Sequence, residues 1–238
     1  MAISIQNILI TGANRGIGLA LVEQYLSQSD TRVYATCRNP EGAVALNALA
    51  QADPENLQIL QLDVNDEASI ERAVNAIAGE IDSLDVLINN AGISGGDGAR
   101  DMGQLSAAEV ATVVTTNAVA PLIVTQCCRE LLQNGDNPRA VMISSGLGSL
   151  ARAGGNAYAY RMSKAAMNMA ARVLAFDDAM AGITSVTLAP GWVRTDMGGP
   201  SANLAPEESA RALLGVIERL VAADNGRFYR YDGEELDW

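Results

Sequence analysis

Short apolar runs alternate with longer helical patterns along the whole of this chain, and few folds accept that order. Strand-like runs occur at residues 7–10, 32–36, 57–62, 84–89, 140–143, 184–188 and 226–231. Between them lie helical patterns at 16–27, 40–51, 67–81, 107–134, 156–181 and 206–222. A strand, a helix and a second parallel strand make a right-handed crossover, because strand twist lets the helix pack back on the sheet only that way. Repeated along the chain, this predicts a doubly wound α/β fold with seven mainly parallel strands and helices on both faces. With no linker composition and no repeat, the expectation is one domain over 1–238. The Gly-rich stretch 94–100 reads as an internal loop and 198–202 as a flap.

Charge and composition exclude several classes. A net charge of −12 lacks the basic face that nucleic-acid phosphates require. Any anionic ligand must then be held by local arginines or lysines against the overall field. The chain has no histidine and no Cys-x-x-Cys pair, so no metal site is expected. Cys37 stands alone while Cys127 and Cys128 are adjacent, a usage that fits reduced thiols. No apolar run is expected to cross a bilayer, and residues 1–6 lack the basic start of a signal peptide. A cytoplasmic protein that meets no membrane is the expectation.

Without histidine, proton transfer needs other groups. Tyr160 and Lys164 stand at i and i+4 and share a helix face. An ammonium there favours the phenolate, whose ordinary pKa of about 10 is too high for easy exchange near neutrality. Such a pair is also ordinary helix surface, so its weight comes from its neighbours. One is Thr11-Gly12-Ala13-Asn14-Arg15-Gly16-Ile17-Gly18, between the first strand and the first helix. Glycines there let backbone N–H groups approach a pyrophosphate at the positive helix N-terminus, although the spacing is G-x-x-x-G-x-G rather than G-x-G-x-x-G. Another is the end of the second strand, Ala35-Thr36-Cys37-Arg38-Asn39. NAD-binding sheets place an acid there for the ribose hydroxyls, whereas a 2′-phosphate needs a cation. Arg38, with Arg15 converging from the glycine loop, favours NADP(H) over NAD(H). A solvated turn is the alternative for Arg38, and Cys37 reads as neutral filler.

Thr11-Gly12-x3-Gly16-x-Gly18, Asn89-Asn90-Ala91-Gly92, Tyr160-x3-Lys164 and Pro190-Gly191 follow one another in this order. With them the chain resembles the short-chain dehydrogenase/reductases over essentially its full length. Residues 158–164 and 231–238 are similar to the C-factor-like and sniffer-like carbonyl reductase branch. The resemblance implies a Rossmann fold in which Asp63 and Val64 contact the adenine and Asn90, Ala91 and Gly92 line the cofactor. It implies that Asn117 supports a water linked to Lys164, and that Pro190, Gly191, Val193 and Thr195 fix the nicotinamide carboxamide. Singly, Asp63, Asn90 and Pro190-Gly191 are also ordinary caps or turns. The family serine usually precedes the tyrosine by thirteen residues, in an Ile-Ser-Ser strand end. Here Ser145 stands thirteen before Tyr158 and fifteen before Tyr160, but Tyr158 would need a lysine where Met162 stands. Tyr160 and Ser145 therefore carry the implied roles, the loop 146–156 is two residues longer, and Tyr158 lines the substrate pocket. Ser144 and Ser149 remain alternatives to Ser145.

The implied activity is an NADP(H)-dependent carbonyl reductase. Tyr160 would protonate the developing alkoxide, Ser145 would hydrogen-bond it, Lys164 would bind the ribose and, with the oxidised ring's charge, lower the tyrosine pKa, and Asn117 would hold a relay water. Reduction rather than oxidation rests on the reduced state of the NADP(H) pool. A dinucleotide-binding signalling protein of C-factor type, with little or no catalysis, is the alternative. A sugar-nucleotide-modifying relative fits less well, because the region after Met197 is short. Loops 94–103, 146–158 and 197–204 would set the substrate. Leu147, Leu150, Ala153, Trp192 and Met197 imply an apolar or aromatic carbonyl compound, while Arg152 and Arg194 leave a carboxylate open. Family members pair through the two long helices, so a homodimer or homotetramer is expected. Val110, Val113 and Val114, with Ala165, Met169 and Val173, are interface or core stripes.

Overall fold

The computed structural model describes residues 5–238. Its strands are β1 (Gln6–Thr11), β2 (Thr31–Cys37), β3 (Leu57–Gln61), β4 (Val86–Asn89), β5 (Arg139–Ile143), β6 (Thr184–Ala189) and β7 (Phe228–Arg230). They form one sheet in the order β3-β2-β1-β4-β5-β6-β7. Every neighbouring pair is parallel, so the expected mainly parallel sheet is wholly so. The main helices are α1 (Gly16–Leu26), α2 (Val44–Ala52), α3 (Glu67–Ala78), α4 (Ala107–Val114), α5 (Ala120–Gln133), α6 (Tyr158–Phe176) and α7 (Pro206–Arg219).

Successive strand side chains point to opposite faces, and β1 divides its residues accordingly. Ile8 and Ile10 pack with Leu21 and Val22 of α1 and Leu213 and Ile217 of α7. Leu9 turns the other way, joining Ile70 and Ile77 of α3, Val124 and Leu132 of α5, and Met167 and Leu174 of α6. Each such side chain stabilises the fold by roughly 1.5–3 kcal/mol when fully buried. Asp66 caps α3 by accepting the Ala68 N–H at 3.1 Å. The chain runs outward from β1 to β3, then returns to lay β4 on the other side of β1. Loops leaving β1 and β4 therefore diverge, opening a crevice at the carboxyl ends of the strands.

Three helix expectations are corrected. The stretch 107–134 is α4 and α5 joined by a π-helical turn, Thr115–Val119. Contrary to the expectation about apolar runs, the 27 residues Ala107–Gln133 are long and apolar enough to cross a bilayer. Here Val124, Cys128 and Leu132 of that stretch pack on the sheet. The helix expected from residue 156 begins at Tyr158, because Asn156 and Ala157 adopt left-handed φ values of 62° and 51°. The helix expected over 40–51 starts only at Val44, and the last strand is trimmed to Phe228–Arg230.

Candidate active site

A cleft of about 510 Å³ opens across the carboxyl ends of the central strands. Gly12, Asn14, Arg15, Gly16 and Ile17 form one wall, Arg38, Asp63 and Val64 another, and Asn90, Ala91 and Gly92 the base. Tyr160, Lys164, Pro190 and Thr195 close the far side. Sequence separations of well over a hundred residues thus converge on one crevice.

The glycine loop can lie this close because two positions exclude a side chain. Gly12 has φ +65°, and a Cβ there would come within 2.9 Å of Ala91 Cα. At Gly18 a Cβ would fall 2.4 Å from the Gly12 carbonyl oxygen. Gly18 sits under the loop rather than on the cleft, holding α1 against β1. Asn90 ties the loop down by donating to the Thr11 and Gly12 carbonyls at 2.9 and 3.1 Å. The Thr11 hydroxyl accepts the Asn90 and Ala91 N–H groups at 3.0 and 3.1 Å. No acidic residue occupies the first turn of α1, so its positive end faces the cleft undiminished.

The arginines behave differently from each other. Arg38 is exposed at the end of β2 and makes no ion pair among the described residues. Arg15 is bonded to Asp196 at 2.5 Å, across the cleft mouth, rather than converging with Arg38. Both partners are mostly exposed, and such a pair is worth about 0–1 kcal/mol. Cys37 is buried, which pushes its thiol up and leaves it neutral. The Asp63 carboxylate accepts the Asn65 N–H at 3.0 Å, making a tight turn beside the cleft.

Asn117 lies in the π-helical turn and is fully buried. Its Oδ1 accepts the Ile93 N–H at 2.8 Å, and its Nδ2 donates to the Ile93 carbonyl (2.8 Å) and to the Ser163 hydroxyl (2.9 Å). The side chain is therefore committed to pinning the segment after β4. Support for a water from this residue has to come from its backbone, in a turn type that recurs at functional sites.

Of the three serines, Ser145 is the one that acts on the Tyr160 phenol. It also accepts the Leu147 N–H at 3.1 Å. Ser144 reaches the cleft wall, but its hydroxyl is turned to Asn168 Oδ1 at 2.6 Å. Ser149 is buried with an unpartnered hydroxyl. Lys164 is 3% exposed and donates to the Ile143 carbonyl at 2.8 Å. Its Nζ lies 5.8 Å from the centroid of the Tyr160 ring. Burial pushes the amine down to about 7. Burial also raises the Tyr160 phenol, an effect that Ser145 opposes. Desolvation thus raises the phenol of Tyr160 and weakens the ammonium charge of Lys164 beside it.

Beyond β6, Pro190 accepts the Ser209 hydroxyl at 2.7 Å. Gly191 adopts φ +84°, and buried Val193 bridges to Leu204. Thr195 accepts the Gly198 N–H at 3.1 Å. The Arg194 guanidinium is spent on the Ala202 and Asn203 carbonyls, both at 3.0 Å, so it anchors the 197–204 flap rather than offering a free cation. Asn65, Thr112 and Thr116 also line the cleft and were not singled out from sequence. The Thr116 hydroxyl donates to Asn65 Oδ1 at 3.1 Å. The link joins the π-helical turn to the segment after β3, which no local motif signals.

The family model for short chain dehydrogenases matches residues 6–204. The C-signal of Myxococcus xanthus is 46% identical over 167 residues, covering 70% of this chain and 98% of its own length. A carbonyl reductase from chicken fatty liver, solved with NADPH bound, superposes with a TM-score of 0.91 at 36% identity, covering 99% of this chain and 100% of its own. The carbonyl reductase Sniffer of D. melanogaster gives 0.91 at 35% identity, covering 98% of this chain and all of its own. On a match over most of its length, with the glycine loop, the Tyr160–Lys164 pair and the β4-end segment in place, this chain belongs to the short chain dehydrogenase family.

Proposed function

We propose that this chain is an NADP(H)-dependent reductase of apolar carbonyl compounds. The observation that carries it is the cluster of Ser145, Tyr160 and Lys164 beside a cleft shaped for a dinucleotide. The cleft suits such a ligand: glycine backbone at an uncapped helix N-terminus takes the pyrophosphate, and Arg38 supplies the fork for a 2′-phosphate. Solved relatives described as bound to NADPH or NADP support that choice. When bound, the dinucleotide supplies the hydride.

The chain's own residues supply the proton and the orientation. Tyr160, held protonated by burial, donates to the oxygen that gains charge as the carbonyl is reduced. Ser145 hydrogen-bonds the same oxygen and fixes its distance from the phenol. Lys164 donates to ribose hydroxyls, and a proton returns to Tyr160 past the π-helical turn of Asn117. Exposed Leu147, Leu150, Trp192 and Met197 give the substrate side an apolar character. With Arg194 committed to the flap, Arg100 and Arg152 are the exposed cations on the substrate loops. A signalling role without catalysis is not favoured, because the acid, the serine that acts on it and the amine stand together.

The test is turnover of NADPH and NADH with aromatic aldehydes, ketones and quinones. Tyr160→Phe is expected to lower kcat by about a thousandfold while NADPH affinity stays within roughly twofold. Retention of more than a few per cent of turnover in that variant contradicts the assignment.

A further inference from the structure

Fifteen of the sixteen basic residues in this chain are arginine; Lys164 is the only lysine, and there is no histidine. The one side-chain amine of the protein therefore sits on the wall of the cleft. Its surroundings hold it without neutralising a charge. From β5 the Ile143 carbonyl accepts its proton at 2.8 Å, and from α6 the Met167 sulfur lies at 3.8 Å and the Tyr160 ring at 5.8 Å. From the end of β4, Gly92 brings no side chain, and a Cβ there would lie 3.7 Å from Nζ. The π-helical turn presents Asn117, whose amide is already bonded. No carboxylate pairs with Lys164 among the described residues, and the phenol of Tyr160 is the one other titratable group against it. Burial accordingly leaves a substantial fraction of the amine uncharged near neutrality.

We propose that Lys164 is a covalent capture site for apolar aldehydes, forming a reversible imine whenever a dinucleotide does not cover it. The Nζ lone pair attacks the carbonyl carbon, and the carbonyl π pair moves to oxygen. One amine proton passes to that oxygen to give a carbinolamine. A second proton, relayed by the Tyr160 hydroxyl, lets the oxygen leave as water while the nitrogen lone pair closes the C=N bond. No oxidant or reductant is consumed. The choice of aldehyde as ligand rests on the carbonyl reading of the cleft. The consequence is that aldehydes, but not ketones, inhibit the coenzyme-free protein with time, and that coenzyme protects it.

The experiment treats the full chain with benzaldehyde and sodium cyanoborohydride, which reduces the imine to a stable secondary amine. Tryptic mass mapping then reads the site. Trypsin does not cut at a benzylated lysine, so modification yields the intact peptide 162–172 carrying one benzyl group. Labelling of that peptide at pH 7 is expected to exceed that of an ordinary lysine by about a hundredfold or more, from the difference in free-amine fraction. Saturating NADPH, or replacing benzaldehyde with acetophenone, should lower it at least about tenfold. Lys164→Arg keeps a cation but abolishes labelling of the peptide. If that variant fails to fold, protection of the wild-type chain by NADPH decides alone. Labelling confined to the terminal amine, labelling that NADPH leaves unchanged, or labelling at an ordinary rate overturns the proposal. The outcome is separable from turnover. Imine formation without NADPH oxidation sinks the reductase reading and keeps this one, and turnover without any adduct does the reverse.

Discussion

At Lys164 and Tyr160, one turn of helix brings an amine and a phenol together, yet burial governs both. The spacing alone suggests a cation that acidifies the phenol. The surroundings weaken the cation instead, because an ammonium with no carboxylate partner is penalised by desolvation. This has a stability signature. Lys164 has an ordinary value of 10.5 and is pushed down to about 7 in the folded chain. Between those values the unfolded state binds one more proton, so stability rises with pH through that window and is lost as pH falls toward 7. Lys164→Met keeps most of the volume and removes the titration. Urea unfolding at pH 7 and pH 9 should show wild type gaining on the order of 2 kcal/mol relative to Lys164→Met. Equal pH slopes for the two proteins would mean that the amine stays charged in the fold.

Elements far apart in sequence decide how the catalytic loop stands. The two extra residues between Ser145 and Tyr160 are countable in the sequence, but their conformation is not. It is set from the other end of the chain, where the Trp238 carbonyl accepts the Ala151 N–H at 3.0 Å. Trp238 is held by a stack on Phe228, with ring centroids 5.3 Å apart, and by the Arg172 guanidinium 5.4 Å from its ring. Arg172 in turn donates to the Gly226 carbonyl at 2.7 Å, and Leu236 is buried against Phe228 and Ala189. Two consecutive left-handed residues, Asn156 and Ala157, finish the loop at a conformational cost of order 1–3 kcal/mol each. The tail therefore braces a strained loop whose first residues follow Ser145. Trp238→Ala should raise KM for the carbonyl substrate about tenfold and leave KM for NADPH within about twofold, with Trp238→Phe restoring most of the loss. Equal changes in both KM values would reduce the tail to general support. The π-helical turn at Asn117 was hidden for a related reason, since periodicity over 107–134 reads as one helix.

For the whole molecule, the parallel sheet is legible in the sequence, though its strand order is not, because parallel strands buried on both faces read as continuous apolar runs, as Ile8–Leu9–Ile10 and Val86–Leu87–Ile88 do. What those rules leave ambiguous is which apolar helix residues face the core. Val113 is core, packed with Ala99 and Ala159, and Val110 leans on that cluster. Met169 and Val173 are not: they are 64% and 57% exposed, and with Phe176 (73%) they make an outward stripe along α6. Val119 and Leu122, on the helix beside it, are also exposed. Lys164 and Met167 occupy the opposite, buried side of α6, so the stripe faces away from the cleft. Apolar residues at helical spacing on a surface bury area when two copies pair, and a stable pair needs about 1,000 Å² or more in total. The expected assembly is a homodimer or homotetramer built on α4, α5 and α6. Sedimentation of wild type should give that assembly, while Met169→Glu combined with Val173→Glu should place two buried charges in the seam and leave single chains. Because those positions lie across the helix from Lys164, the single chains should keep kcat within about threefold of wild type. A wild-type chain that sediments alone at micromolar concentration removes the assembly, and a dissociated variant without turnover would place part of the active site at the seam.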